Sequence, residues 1–171
     1  ILSVTAVLIV LLFIGLSLLP THGQALGDSQ SAEANYTLGP ASRGGIGKFY
    51  MGREISHVMG HLGSGWLERP SREQEERTDR LLSNMRLRPT DTVVDLGAGT
   101  GYFSFPMARQ LTRGKVVAVD IQPEMLSIIE QRKALENVGN IETLLATATN
   151  PNIAVSSADV VLLVDSYHEV S

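Results

Sequence analysis

The chain contains no cysteine. That excludes a disulfide framework and a thiolate zinc site, and it leaves the redox compartment open. Basic residues are also in deficit: 14 Lys and Arg stand against 18 Asp and Glu, a net charge of −4. A nonspecific nucleic-acid binder normally carries a basic patch, so nucleic acid is not an expected partner. Metal-ligand spacing is poor. His57 and His61 are four apart, but HVMGH lacks the glutamate of HExxH, no third ligand is evident and Gly60 disfavours the helix. The pair reads as surface or pocket histidines, and no metal is expected. The single tryptophan, Trp66, reads as packed against the body of the protein rather than as a cover for a ligand.

Against these absences stands one dense stretch, Asp95 to Phe103, DLGAGTGYF. Thr92, Val93 and Val94 before it form a β-branched apolar run, and the pattern after it turns helical, so the glycines sit where a buried strand becomes a helix. Gly97, Gly99 and Gly101 alternate, which allows positive φ and lets backbone approach a ligand. A helix beginning there offers free N–H groups to an anion such as a carboxylate. A dinucleotide fingerprint, GxGxxG, would need glycine where Tyr102 stands, which disfavours a nicotinamide oxidoreductase. Asp95, two residues ahead of the first glycine, suits a ligand with an ammonium group. Asp120 closes the next strand-like run, VVAVD, where an acid accepts hydrogen bonds from both ribose hydroxyls. Amino acid plus ribose points to S-adenosylmethionine.

DLGAGTG resembles the DxGxGxG cofactor loop of class I S-adenosylmethionine-dependent methyltransferases, and VVAVDIQPEML resembles their second-strand acidic motif. DVVLLVDSYHEV, Asp159 to Val170, resembles their fourth strand and its catalytic-face end. The likeness covers about 85–171 and is nearest to small-molecule enzymes of the type-11 or ubiquinone-biosynthesis kind, here C-terminally truncated. It implies a Rossmann-like doubly wound parallel sheet, of which four strands are present: 92–96, 115–120, 141–145 and 159–164, with helices at about 102–112 and 123–136. Alternation of this kind implies right-handed crossovers. Pro123 suits a first helical turn, Pro106 is tolerable only if its helix starts near 102–104, and Gly114 and Gly139 read as helix-ending glycines. Met125, Leu126, Ile128 and Ile129 are expected to face the sheet.

What the resemblance implies for the site is specific. The backbone of Gly97, Ala98, Gly99 and Gly101 would contact the methionine moiety, Asp95 its ammonium, and Asp120 the ribose, with Ile121 and Gln122 beside the adenine. The family often places an acid after the third strand; here the segment reads ATATNP, so Thr147 or Ala148 takes that position and recognition would rest on a threonine hydroxyl or a backbone group. Asp165, Tyr167, His168 and Glu169 would project toward cofactor and methyl acceptor, with His168 the candidate general base.

The rest of the chain reads as approach to that domain. Ile1 to Leu19 carries no charge and reaches the roughly 20 residues that span a bilayer core. With Pro20 and Gly23-Gln24-Ala25, residues 1–25 read as a signal peptide or an uncleaved membrane anchor, giving an exported, periplasmic or membrane-anchored protein, or one with its domain facing the cytoplasm. Residues 26–47, rich in Gly, Ser, Ala and Asn, read as a flexible linker, and 48–88 as a lid and helical segment preceding the domain 89–171. Within it Ser71 to Leu87 reads as one amphipathic helix capped by Ser71, its charge run a solvated face. A start at Ile1 and an end at Ser171 read as a piece of a longer product. The functional expectation is methyl transfer to a small-molecule acceptor; the alternative is a degenerate, noncatalytic binding protein of the same fold.

Overall fold

The computed structural model of the chain describes residues 11–12 and 36–166. In chain order the elements are β1 (Leu11–Leu12), β2 (Tyr36–Leu38), β3 (Gly45–Tyr50), β4 (Arg53–Ser56), a short 3-10 turn (His61–Gly63), α1 (Ser64–Leu67), α2 (Arg72–Glu76) and α3 (Thr78–Asn84). They continue as β5 (Thr92–Leu96), α4 (Ser104–Gln110), β6 (Lys115–Asp120), α5 (Pro123–Glu136), β7 (Ile141–Leu145) and β8 (Val160–Leu162). Two compact units result, one of residues 36–58 and one of residues 59–166 with 11–12.

The larger unit is built on a sheet of order β1-β8-β5-β6-β7. β5, β6, β7 and β8 run parallel, with Val94 opposite Val117 and Val161, and Val117 opposite Glu142. β-branched residues dominate β5 and β6, and their alternation sends Val93 to one face and Val94 to the other. On the first face Phe105, Met107, Leu111 and Ile129 are fully buried beside Val116 and Leu162, with Leu81, Leu82 and Met85 of the α3 region packed against them. The opposite face holds Val94, Val119 and Ala146, flanked by Ile153 and Ala158. Among the described residues the helices therefore cover one face of the expected doubly wound sheet.

Local chemistry explains most boundaries. Pro106 falls in the first turn of α4, where a missing N–H is harmless, and Pro123 opens α5. Asn137, not Gly139, ends α5 in the left-handed conformation, since Asn tolerates positive φ. Gly114 likewise ends no helix; a Cβ there would lie 2.1 Å from the Asp91 carbonyl oxygen, so close backbone approach requires the glycine. Ile128 is only partly buried, whereas Met125, Leu126 and Ile129 face the core.

The single helix expected over 71–87 is two. Arg77 takes φ 52° and breaks the chain between α2 and α3. Ser71 makes no side-chain cap, and Arg72, from the charge run, is 3% exposed.

The smaller unit is an antiparallel sheet of order β2-β3-β4. Met51 and Gly52, both at positive φ, form a two-residue turn between β3 and β4, the conformation that matches strand twist. Glu54 accepts hydrogen bonds from the Ser42 and Gly47 N–H groups and Tyr36 stacks near Tyr50 at 5.1 Å. Residues 36–47 are thus partly strand where composition reads as linker, and 48–56 a hairpin where it reads as a lid. Of the apolar stretch 1–19 only Leu11–Leu12 is described, as a strand antiparallel to β8 rather than a helix. No described helix is long and apolar enough to cross a membrane.

Candidate functional site

The carboxyl ends of β5, β6 and β8 converge on the glycine loop. From β5 the chain winds through β6 to β7 on one side, then returns to place β8 on the other, so the crevice between β5 and β8 is a topological switch point. Open α/β sheets bind ligands in that crevice. Gly97, Gly99 and Gly101 all have positive φ, at 76°, 55° and 82°. A Cβ at Gly97 would meet Ser166 at 2.6 Å, and one at Gly99 would meet Leu67 at 2.8 Å. Only glycine satisfies both the turn and the approach.

The loop's backbone donors are largely spent within the protein. Gly97 and Ala98 donate to the Val119 carbonyl at 2.9 Å, Gly101 donates to Ala98, and Gly99 donates to Asp120 Oδ2 at 2.9 Å. None of these four N–H groups is left for an anion, so the expectation of free N–H groups rests on the start of the helix that follows the loop.

Asp95 is buried, and its Oδ2 accepts a hydrogen bond from Ser104 Oγ at 2.5 Å. Burial pushes its carboxyl up to about 6; the Ser104 bond and the Arg72 charge oppose that rise, and the Asp120 charge adds to it. A cation beside Asp95 would relieve that cost. Asp120 is also buried. Its Oδ1 accepts the Gln122 N–H at 2.9 Å, and burial raises its pKa against the pull of the Gln122, Gly99 and Ile121 N–H groups. Each carboxylate oxygen keeps a second lone pair for a hydroxyl.

Other predicted residues are differently placed. Ile121 is exposed at 40% beside Asp120. Gln122 grips the preceding segment: Nε2 donates to the Met59 carbonyl at 2.8 Å and Oε1 accepts the His61 N–H at 2.9 Å. Its amide is committed to protein backbone at both ends. The Thr147 hydroxyl donates to the Asn150 carbonyl, closing its own loop. Asp165, at φ 56°, pairs with Arg72 Nη2 at 3.4 Å, while Ser166 Oγ donates to the Leu96 carbonyl. Tyr167, His168 and Glu169 lie outside the described residues. His57 follows β4 and His61 opens the 3-10 turn, so no helix carries both, and no metal-binding cluster occurs among the described residues. Trp66 is half exposed, with the Arg69 guanidinium stacked on it at 3.8 Å.

Several residues at this end carry no sequence signal of the kind read above. Thr100 Oγ1 donates to Glu68 at 2.5 Å, and Arg132 donates to Glu68 and to the Thr100 carbonyl, tying α1, the glycine loop and α5 together. These residues line a surface groove of about 380 Å³ with Ser64, Gly65 and Ile128. The groove includes neither Asp95 nor Asp120, so it is distinct from the switch-point crevice. Ser104 lies nine positions beyond Asp95, one turn past the loop, where a serine ordinarily reads as helix surface.

The residues fit a ligand joining an amino acid to a nucleoside: a buried acid for ammonium, a second acid for ribose, and a loop stripped of Cβ atoms between them. Comparison with known proteins agrees. Residues 93–171 match the family model described as a methyltransferase domain. The chain is 34% identical over 70 residues to a probable ribosomal RNA small subunit methyltransferase A of Methanosarcina acetivorans, covering 41% of this chain and 24% of that protein. It is 38% identical over 87 residues to a malonyl-acyl-carrier-protein O-methyltransferase of Serratia marcescens, covering 49% of this chain and 33% of that protein. A solved S-adenosylmethionine-dependent methyltransferase from Aquifex aeolicus superposes with a TM-score of 0.50 at 25% identity, covering 54% of this chain and 50% of that one. The chain thus spans a third or less of the length of these two curated relatives. Fold, loop and family match together make residues 93–171 a methyltransferase domain of the class I S-adenosylmethionine-dependent kind.

Proposed function

We propose that the protein transfers a methyl group from S-adenosylmethionine to a small-molecule acceptor. The observation that carries the reading is the pairing of two buried acids, Asp95 and Asp120, across a loop of three positive-φ glycines at the switch point. Asp95 would hold the cofactor's ammonium and Asp120 its ribose hydroxyls, with Ile121 at the adenine edge. The bound cofactor supplies a sulfonium methyl, already activated for transfer.

The chain's own task is then largely positional. Holding donor and acceptor in line supplies much of the rate, and a base is needed only where the acceptor carries a proton. His168 is the proposed base, three positions beyond Asp165 at the end that follows β8. Exclusion of water from the crevice would strengthen the attraction between Asp95 and a cation. A small acceptor is proposed over nucleic acid because the chain's net charge is −4, although four of the similar proteins are named for ribosomal RNA. We also propose export or membrane attachment through residues 1–19, on their lack of charge; fractionation of cells expressing the tagged chain checks it.

The test is transfer of label from methyl-tritiated S-adenosylmethionine into separated small-molecule, RNA and protein fractions. Label in the small-molecule fraction, abolished by Asp120→Ala, is the expected result. Label in RNA alone would overturn the acceptor class, and binding without transfer to any fraction would overturn the enzymatic reading.

A further inference from the structure

The cofactor proposed above carries a carboxylate as well as an ammonium, and the glycine loop has little to offer it. The N–H groups of Gly97, Ala98, Gly99 and Gly101 all donate within the protein. An anion seated at these four residues finds no backbone donor, and burial without one is costly, so a cation at the same end of the sheet would serve it.

Arg72 is that cation. It lies upstream of the matched domain, yet only 3% of it is exposed. Its guanidinium stacks on the rings of Tyr102 and Phe103, the residues that follow the loop, at 4.3 and 5.3 Å. Nη1 donates to the carbonyl of Leu67, whose side chain occupies the space beside Gly99. Nε donates to Glu76 at 2.9 Å, and Nη2 reaches Asp165, after β8, at 3.4 Å. Arg72 thus spans the crevice from the end of β8 to the start of α4. A guanidinium has five N–H donors. Three are used in these contacts, so one on each terminal nitrogen has no acceptor among the described residues. The Asp165 contact is the longest of the three, and its carboxylate side chain is 37% exposed, so water can take it back.

We propose that Arg72 binds the carboxylate of the cofactor's amino-acid part, which displaces Asp165, the longer of its two carboxylate contacts, and leaves Glu76 in place. The assignment rests on the cofactor reading above and extends it to a residue outside the matched domain. A planar fork meeting a carboxylate is the geometry that arginine serves and lysine does not.

The test is calorimetric titration of the full chain with S-adenosylhomocysteine, with its decarboxylated analogue, and with 5′-methylthioadenosine, which lacks the amino-acid part. Wild type should prefer S-adenosylhomocysteine to the decarboxylated analogue by about tenfold or more, the range of a hydrogen bond to a charged group. Arg72→Gln should erase that preference and leave methylthioadenosine binding unchanged, and Arg72→Lys should restore part of it. Asp165→Asn, at a partly exposed site, should tighten S-adenosylhomocysteine binding several-fold. Equal losses for all three ligands in Arg72→Gln would make the residue a strut for the fold and overturn the assignment. If Arg72→Gln does not fold, the wild-type comparison and Asp165→Asn decide: indifference to the carboxylate, or weaker binding in Asp165→Asn, overturns it. A folded wild type that binds methylthioadenosine and S-adenosylhomocysteine equally contradicts Arg72 alone, whereas one that binds neither contradicts the cofactor reading itself.

Discussion

The strands and helices of 92–145 and the segment 59–77 are held by different forces. The first is an apolar lattice: parallel β-branched strands and fully buried Phe105, Met107 and Ile129. The second has few buried apolar side chains and is tied down by polar tethers, with Gln122 on Met59 and His61, Glu68 on Thr100 and Arg132, and Arg72 on Leu67 and Asp165. The difference teaches that stability and ligand recognition are separable here. Changes in the lattice should unfold the larger unit; changes in the tethers should alter what the crevice binds and how tightly it closes.

Phe105→Ala should break the lattice most severely. It removes a fully buried ring that also sits against Gly101, and a loss of about 3–5 kcal/mol is expected from urea denaturation. A loss below about 1 kcal/mol would show that the core lies elsewhere.

Asp95 belongs to both sides, buried beside the lattice at the carboxyl end of β5, where the glycine loop begins. Its folded pKa of about 6 lies above the ordinary 3.8. The native state therefore binds the proton more tightly, and this contribution is fully present below about pH 4 and lost as pH rises through about 6. The lost stability is on the order of 3 kcal/mol. Asp95→Asn should flatten the pH dependence of urea stability over that window. The same protonation should weaken S-adenosylhomocysteine binding as pH falls below about 6, because a neutral Asp95 no longer attracts the ammonium. Unchanged pH profiles in Asp95→Asn would count against both effects.

Gln122→Ala probes the tethers alone. Two hydrogen bonds disappear, about 1 kcal/mol each, and hydrogen exchange at 59–63 should accelerate while protection in β5 and β6 stays the same. Loss of protection throughout the sheet would show that tether and lattice are one cooperative unit.

The lattice was legible in the sequence because its signals are periodic. Apolar runs, a proline at the head of α5 and the DLGAGTG junction placed β5, α4, β6, α5 and β7 within about two residues. The tethers were not, because nothing local marks them. Arg72 sits in a charge run that reads as solvated, and Arg77 gives no sign of the left-handed turn that splits α2 from α3. Ser104 owes its role to a carboxylate nine residues earlier, and Gln122 spends its amide on a segment about 60 residues away. The β3–β4 hairpin was readable in principle, since Met51-Gly52 separates two strand-like runs, but a composition rich in glycine and histidine points to a loop instead.

Calorimetric titration of S-adenosylhomocysteine into the full chain, with Asp120→Ala as control, decides whether the crevice is a cofactor site. Saturable one-site binding that falls at least about tenfold in Asp120→Ala is expected, with both proteins giving the same circular dichroism spectrum. A folded wild-type chain that takes up no ligand, or an Asp120→Ala variant that binds as well as wild type, would contradict it.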